Sequence, residues 1–260
     1  MVEKLEKTVE VGRITLRQIS KSIAKSMVIK NHYTHKWTLC RVAYGIFYKT
    51  TEESDIFLDS DEKLIGCIIY GQPVGRSAAA SLTDSLNISQ VFELTRLFIF
   101  DGYGKNIESY CISKSFRLLN KEFPNVKAII SYADGEQGHT GRIYQATGFI
   151  YQGNSSLALM PNYGISLSGP PDYKWIHSRT VTSKWGSHNV EHLKKCIGKT
   201  FWRKKESAKH RYVKFISTKG ENKRFERSLK HPSIPYPKTT THIDEIEKID
   251  VIQADKSSFF

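Results

Sequence analysis

The amino-acid sequence predicts an α/β (α+β) protein carrying a basic C-terminal extension. Three observations predict it. Strand-like runs interleave with segments of helical apolar spacing from residue 11 to about residue 153, an order that packs as helices against a sheet. No internal repeat or long low-complexity tract interrupts that order. Beyond about residue 160 the texture changes to Pro/Gly turns such as PNYG and SGPPDY, with basic and aromatic residues interleaved.

Each element has its own signal. VGRITLRQI (11–19) alternates as a strand does, and SKSIAKSMVIKNHY (20–33) follows with a Ser at the cap position and helical apolar spacing. RVAYGIFYK (41–49) and KLIGCIIYG (63–71) are β-rich runs joined by the acidic stretch TTEESDIFLDSDE, which predicts an antiparallel pair. PVGRSAAASLTDSLN (73–87) is small and polar and is expected to be a mobile loop, placed after a strand where loops carry function. VFELTRLFIF (91–100) is a third strand. After DGYGKN comes an amphipathic helix, NIESYCISKSFRLLNKEF (106–123), with Ile112, Phe116, Leu119 and Phe123 on one face and Pro124 closing it. VKAIISYAD (126–134) is a near-continuous apolar run, as in a buried parallel strand. HTGRIYQATGF (139–149) is a short helix with Gly148 as its left-handed cap, and FIYQG is one more strand. The expected division is a catalytic domain at 1–160, a basic extension packed on it at 161–240 and an acidic tail at 241–260.

The formal charge is +13, and its location is more informative than its size. Residues 174–240 hold 18 Lys+Arg against four acids, residues 1–173 hold 19 against 17, and the last twenty residues are net acidic. A concentrated basic segment beside a nearly neutral core is the footprint of a polyanion binder, because phosphate contacts release counterions. A basic solvated surface is the plainer alternative. Cys40, Cys67, Cys111 and Cys196 contain no CxxC pair, so neither a disulfide framework nor a zinc ribbon is signalled. No apolar run of membrane-spanning length and no signal peptide is present, so a soluble protein of a reducing cytoplasm is expected.

Two local motifs carry chemistry. Gly102-Tyr103-Gly104 follows a strand and opens a helix, where backbone N–H groups at a positive helix end suit a pyrophosphate or another anion; Lys105 and Asn106 complete the turn. Tyr144-Gln-Ala-Thr-Gly148-Phe149 ends the next short helix. Both motifs, and the element order, resemble the GNAT acyltransferase fold. That resemblance implies a mixed, mostly antiparallel central sheet flanked by helices, a CoA-type pyrophosphate at the Gly-rich turn, and a tyrosine that protonates a departing thiolate. Ile99 departs from the family pattern, which has Gln or Arg there.

A closer resemblance spans about residues 90–152. ELTRL, GKNIES, SYADGEQGHTGRIYQATGF and IYQG occur in order at compatible spacings, as in the phage Mom family, and NHYTH (31–35) extends the likeness towards the N-terminus. It implies transfer of a carbamoylmethyl group to the N6 amine of adenine in phage DNA, which shields that DNA from restriction enzymes. The functional residues it implies are His32, Arg96, Ser109, Asp134 and Tyr144; His139, within GHTG, is a point of variation.

Chemistry gives each of these a reason. The adenine N6 amine is conjugated with its ring, so a base must take its proton in the transition state, and His32 or Asp134 could serve. Asp134 ends an apolar strand at the edge where catalytic carboxylates sit, although helix capping explains it equally well. Arg96 stands among Leu94, Leu97 and Phe98, so its charge needs a partner such as Glu93, a donor anion or a DNA phosphate. Ser109 lies in the first helical turn, where its hydroxyl and free N–H groups could hold a donor carbonyl or carboxylate. Reaching N6 in double-stranded DNA requires flipping the base, and Tyr33, Trp37 and Tyr132 are candidates to sandwich it. TFWRKKESAKHR and KHRYVKFI interleave bases with aromatics, which suits DNA contact by Arg203, Lys204, Lys205, Arg211 and Lys214.

No metal ligand set is assigned. His32 with His35 lacks a third ligand, and His188, His192 and Cys196 at i, i+4 and i+8 fit a helix face better than a zinc site. The donor is open between an acyl-CoA-like and a glycine-derived compound, and a metal ion is open as well. The favoured reading is a DNA-modifying transferase. Its alternatives are a GNAT N-acetyltransferase using acetyl-CoA on a small-molecule, protein or RNA amine, and a non-catalytic DNA-binding protein. Target sequence, oligomeric state and the role of residues 241–260 are not legible.

Overall fold

Short apolar runs broken by turns build a sheet strand by strand. In the computed structural model, which describes residues 11–49, 62–73, 76–154, 162–206, 209–239 and 245–251, β1 (Ile14–Gln18) leads into α1 (Lys21–Asn31). The predicted Ser cap is made: the Ser20 side chain accepts from the Ile23 N–H. β2 (Val42–Lys49) and β3 (Glu62–Gly71) form the expected antiparallel pair, although almost all of the acidic stretch between them lies outside the described residues. Then come α2 (Arg76–Ala80), β4 (Val91–Ile99), α3 (Ile107–Glu122), β5 (Ala128–Ala133), α4 (Arg142–Ala146) and β6 (Ile150–Asn154). The remainder is β7 (Tyr163–Ser166), β8 (Trp175–Ile176), α5 (Ser178–Trp185), α6 (Val190–Ile197), β9 (Phe201–Lys205), β10 (His210–Phe215), α7 (Lys219–Arg227) and β11 (Ile246–Ile249).

These elements make two compact units. The first comprises residues 1–133, 140–153 and 210–238. Its seven-stranded sheet runs β1-β2-β3-β4-β5-β10-β6, antiparallel at each described pairing except the parallel β4–β5 step. Alternation along β3 sends Ile68 and Tyr70 into the core under α3, with Ile112 and Leu119, and sends Cys67 and Ile69 to the face of α1, with Ala24 and Val28. Tyr70 and Ser115, both fully buried, share a hydrogen bond of 2.7 Å that ties β3 to α3. This mixed, mostly antiparallel sheet flanked by helices is the expected fold class.

The second unit comprises residues 134–139, 154–209 and 239–260. Its four-stranded sheet runs β11-β9-β7-β8, and α5 and α6 pack on one face through Val181 and Leu193 against Ile165, Phe201 and Ile249.

Two features differ from expectation. The 73–87 stretch is not an open loop: it contains α2, and Ala79, Leu82 and Leu86 are buried against Val91, Ile130 and Val213. Its few apolar residues find a hydrophobic face that a linear reading does not reveal. Residues 161–240 are not one extension, because β10 returns to the seven-stranded sheet between β5 and β6. Tyr212, Val213 and Phe215 are buried there, and flanking Lys209, Arg211 and Lys214 hide that apolar pattern in the sequence. Within the acidic tail, β11 pairs antiparallel with β9. The basic excess is divided accordingly: ten Lys+Arg lie in 174–209 and eight in 210–238.

Candidate active site

The site begins with a register break in β4. Tyr70 pairs with Leu94 and Ile69 with Arg96, so Thr95 is an extra residue bulged out of the ladder. Residues three apart normally point to opposite faces of a strand; the bulge puts Glu93 and Arg96 on the same face, as partners of Gly71 and Ile69. The run VFELTRLFIF is apolar at 91, 92, 94 and 97–100, so it carries no strict alternation that would have located the bulge. Thr95 itself is buried, and its hydroxyl donates to the Ile69 carbonyl at 3.2 Å.

A second irregularity opens the sheet beside it. β4 and β5 are paired only from Val91–Ala128 to Glu93–Ile130, after which the parallel strands are no longer paired. Ser131 donates to the Leu94 carbonyl at 3.2 Å where the ladder ends. Tyr144, from α4, hydrogen-bonds Ser131 there. Burial, with Tyr33, Glu93 and Tyr212 nearby, pushes the Tyr144 phenol up to about 12 despite that bond, so it holds its proton at neutral pH.

Arg96 lies in this cluster. Tyr33, Glu93 and Tyr144 are its electrostatic neighbours, and they oppose the lowering that burial imposes on the guanidinium. Its Nη1 donates to the Thr95 carbonyl at 2.6 Å and its Nη2 to the Lys36 carbonyl at 3.4 Å, while its buried Nε has no hydrogen-bond partner among the described residues. A guanidinium on two carbonyls, with a donor left over, has capacity for an anion or a substrate carbonyl.

His32 caps the C-terminus of α1, is only 6% exposed, and stacks on Tyr33 with ring centroids 4.3 Å apart. Its Nδ1 accepts from the Thr34 backbone N–H at 3.1 Å. A backbone N–H can only donate, so neutral His32 carries its proton on Nε2. His35 turns elsewhere, its Nδ1 donating to the Ile29 carbonyl at 3.0 Å.

Four of the five implied catalytic residues belong to the first unit, and His32, Arg96 and Tyr144 are brought together through Tyr33. Ser109 is not joined to them by a described contact; its hydroxyl donates to the Asn106 carbonyl at 3.0 Å within the first turn of α3. Asp134 directly follows β5, accepts at its carbonyl from the Gln137 and His139 N–H groups, and has Lys209 Nζ at 3.6 Å. Sequence reasoning missed Thr95 and Ser131, which position Arg96 and Tyr144.

The Gly-rich turn suits an anion. Gly102, Gly104 and Asn106 have φ of 95°, 101° and 65°, the left-handed region, and the Asn106 side chain makes no cap hydrogen bond to the 16-residue α3. A Cβ on Gly102 would meet nothing within 4 Å, so that side of the turn is open.

The residues expected to contact DNA separate. Arg203, on β9, is held by Glu247 at 2.6 Å and lies 4.5 Å from the centre of the Tyr163 ring; Lys204 and Lys205 are half-buried on the same strand. Arg211 is only 7% exposed on β10, donating to the Ala78 carbonyl at 3.2 Å, and Lys214 donates to the Gly148 carbonyl at 3.0 Å. In the second unit His192 and Cys196 approach to 3.3 Å on α6, whereas His188 precedes that helix and bonds Thr182. Among the described residues no group of three His, Cys, Asp or Glu side chains could hold a metal ion, and no helix is long and apolar enough to cross a membrane.

A mixed sheet whose parallel pair parts over a tyrosine, with a glycine turn opening the next helix, defines the class to which the fold and site belong. The chain is a member of the Mom protein family, whose profile matches residues 13–238. It is 23% identical over 227 residues to the methylcarbamoylase mom of Escherichia phage Mu, covering 86% of this chain and 84% of that protein. Among solved structures it resembles the spermidine N-acetyltransferase of Vibrio cholerae with CoA and spermine, at 10% identity and a TM-score of 0.39 over 79% of this chain and 96% of the other. Arabidopsis thaliana NAA60 with acetyl-CoA gives 10% identity and a TM-score of 0.43 over 78% and 98%.

Proposed function

We propose that this protein is a DNA-modifying transferase that places a carbamoylmethyl group on the N6 amine of adenine in double-stranded DNA and so protects that DNA from restriction. The observation that carries the reading is the coincidence of a family match over residues 13–238 with a cluster of His32, Arg96 and Tyr144 around Tyr33. The bond formed joins N6 to the methylene carbon of the transferred group; the bond broken joins that carbon to the donor's leaving group, and N6 gives up a proton. Asp134 takes that proton. His32, with its own proton on Nε2, donates a hydrogen bond instead, and Arg96 holds the transferred group's carbonyl by hydrogen bonding and so positions the methylene carbon for attack. Tyr144, protonated at neutral pH, supplies a proton to the leaving group. The donor's anionic portion occupies the Gly102–Asn106 turn beside Ser109. The target base is flipped out of the duplex against Tyr33, and the setting is the cytoplasm of a host cell.

Mass spectrometry of nucleosides from cells expressing the protein is the test, with a mass gain of one carbamoylmethyl group on deoxyadenosine expected. Unmodified adenine throughout, with folded protein present, would sink the reading. A second reading has one observation in its favour: the open turn before α3 also suits the pyrophosphate of acetyl-CoA. Tight acetyl-CoA binding with turnover of a non-DNA amine, and no change to adenine, would select that acetyltransferase.

A further inference from the structure

The four-stranded sheet of the second unit has two unlike faces. α5 and α6 cover the face of Ile165, Phe201 and Ile249. Register fixes what the other face carries: Ser166 pairs with Trp175 on one side and Trp202 on the other, and Trp202 pairs with Lys248. Trp175, Ser166, Trp202 and Lys248 therefore form one row across all four strands, with Lys204 two residues beyond Trp202 on the same side.

Small Ser166 leaves a gap in that row, and Tyr173 fills it. The Tyr173 ring stacks on Trp175 with centroids 5.1 Å apart and an interplanar angle of 19°, and meets Trp202 edge-on at 6.2 Å. Backbone bonds hold the stack: Ser166 Oγ accepts from the Lys174 N–H at 3.0 Å and donates to the Ser168 carbonyl at 2.8 Å. Gly169 lies against Trp202, where a Cβ would come within 2.7 Å of Cζ2. Trp175 is nevertheless 38% exposed. Lys204 and Lys248 lie on this face; Lys248 Nζ is paired with Asp250 at 2.8 Å, and the Glu206 carboxylate lies beside Gly164 at the other end.

A rigid ring stack with one open indole, and Lys204 on the same face, matches the chemistry of an unstacked base and an adjacent phosphate. In an intact duplex the bases cover one another and present no free π-face. We propose that this face, centred on Trp175, is a stacking platform for an unpaired base of the nucleic-acid substrate, with Lys204 on the side of the adjacent phosphate. The proposal extends the DNA reading above and rests on it for the identity of the strand.

The test uses the full-length protein, a labelled single-stranded oligonucleotide and its duplex, with binding followed by anisotropy and tryptophan fluorescence. Trp175→Ala should weaken single-strand binding roughly fivefold to a hundredfold, the range expected for loss of one base–aromatic stack. Trp175→Phe should retain most of it, and duplex affinity should barely move. Lys204→Gln should flatten the salt dependence for the single strand by about one unit of slope or slightly less. Wild-type single-strand affinity in Trp175→Ala, shown folded by circular dichroism, overturns the proposal, as does an equal loss for duplex and single strand. Adenine modification measured separately distinguishes the two ideas. Modification with Trp175-independent binding ends the platform alone; Trp175-dependent binding without modification ends the adenine reading alone.

Discussion

Tyr144 joins packing and chemistry through a single oxygen. Its ring is held by Phe149 and Tyr212, with centroids 5.3 Å away in each case, so the ring is fixed without help from the hydroxyl. Tyr144→Phe should therefore fold with a stability change of about 1 kcal/mol, the usual net contribution of one hydrogen bond. Turnover should fall by roughly a hundredfold or more, the usual scale for removing a general acid. Thermal melts alongside initial rates of adenine modification check both halves, and an unchanged rate would remove Tyr144 from the mechanism. His210 is a residue of another kind: only 7% exposed, with Nδ1 at 2.8 Å from the Tyr151 hydroxyl. Burial lowers its pKa below the ordinary 6.5. The unfolded chain then binds the proton more readily than the folded one, so stability is complete above about pH 6.5 and declines as pH falls through the folded value. Urea midpoints at pH 7.5 and 5.5 should show this decline, and His210→Gln should shrink it.

At the scale of elements, two departures from regular β structure do the positioning. The Thr95 bulge turns Arg96 onto the face of Glu93, and the parting of β4 and β5 gives Tyr144 its place beside Ser131. The short α4 depends on the turn before it. Gly141 has φ of 77°, and a Cβ there would come within 2.7 Å of the Tyr212 Cζ. Gly141→Ala should thus cost roughly 1–2 kcal/mol from the left-handed backbone alone, with the clash added. The measurement is a denaturant melt together with the modification rate, since displacing Tyr212 also displaces the ring it packs on, Tyr144. Wild-type stability in that variant would contradict the described turn.

For the whole molecule, the division of the basic charge matters most. α7 carries exposed Lys219, Lys223 and Arg227 in the first unit, while Lys194, Lys195 and Lys199 belong to the second. If both units meet the polyanion, removing charge from either lowers the salt dependence of DNA binding, by about 0.9 in slope for each phosphate that is no longer neutralised. Changing Lys219, Lys223 and Arg227 together to Gln should reduce the slope of log affinity against log salt by up to about 2.7 on that scale. A slope equal to wild type would leave α7 outside the DNA footprint.

Linear pattern settled what local physics controls. The Ser20 cap, the amphipathic α3, the apolar β5 and the Gly148 helix end follow from spacing and side-chain type within a few residues, and all were legible. The ordered motifs from Glu93 to Phe149 also pointed to the family, because short segments at fixed spacing survive as sequence. Only the tertiary structure placed β10 in the central sheet, buried Ala79, Leu82 and Leu86, and turned Arg211 inward while leaving Trp175 in the open. The reason is that strand pairing and burial at these positions depend on partners dozens of residues away. Alternation read along the chain reports a side chain's phase, and carries no information about which strand or solvent it will face.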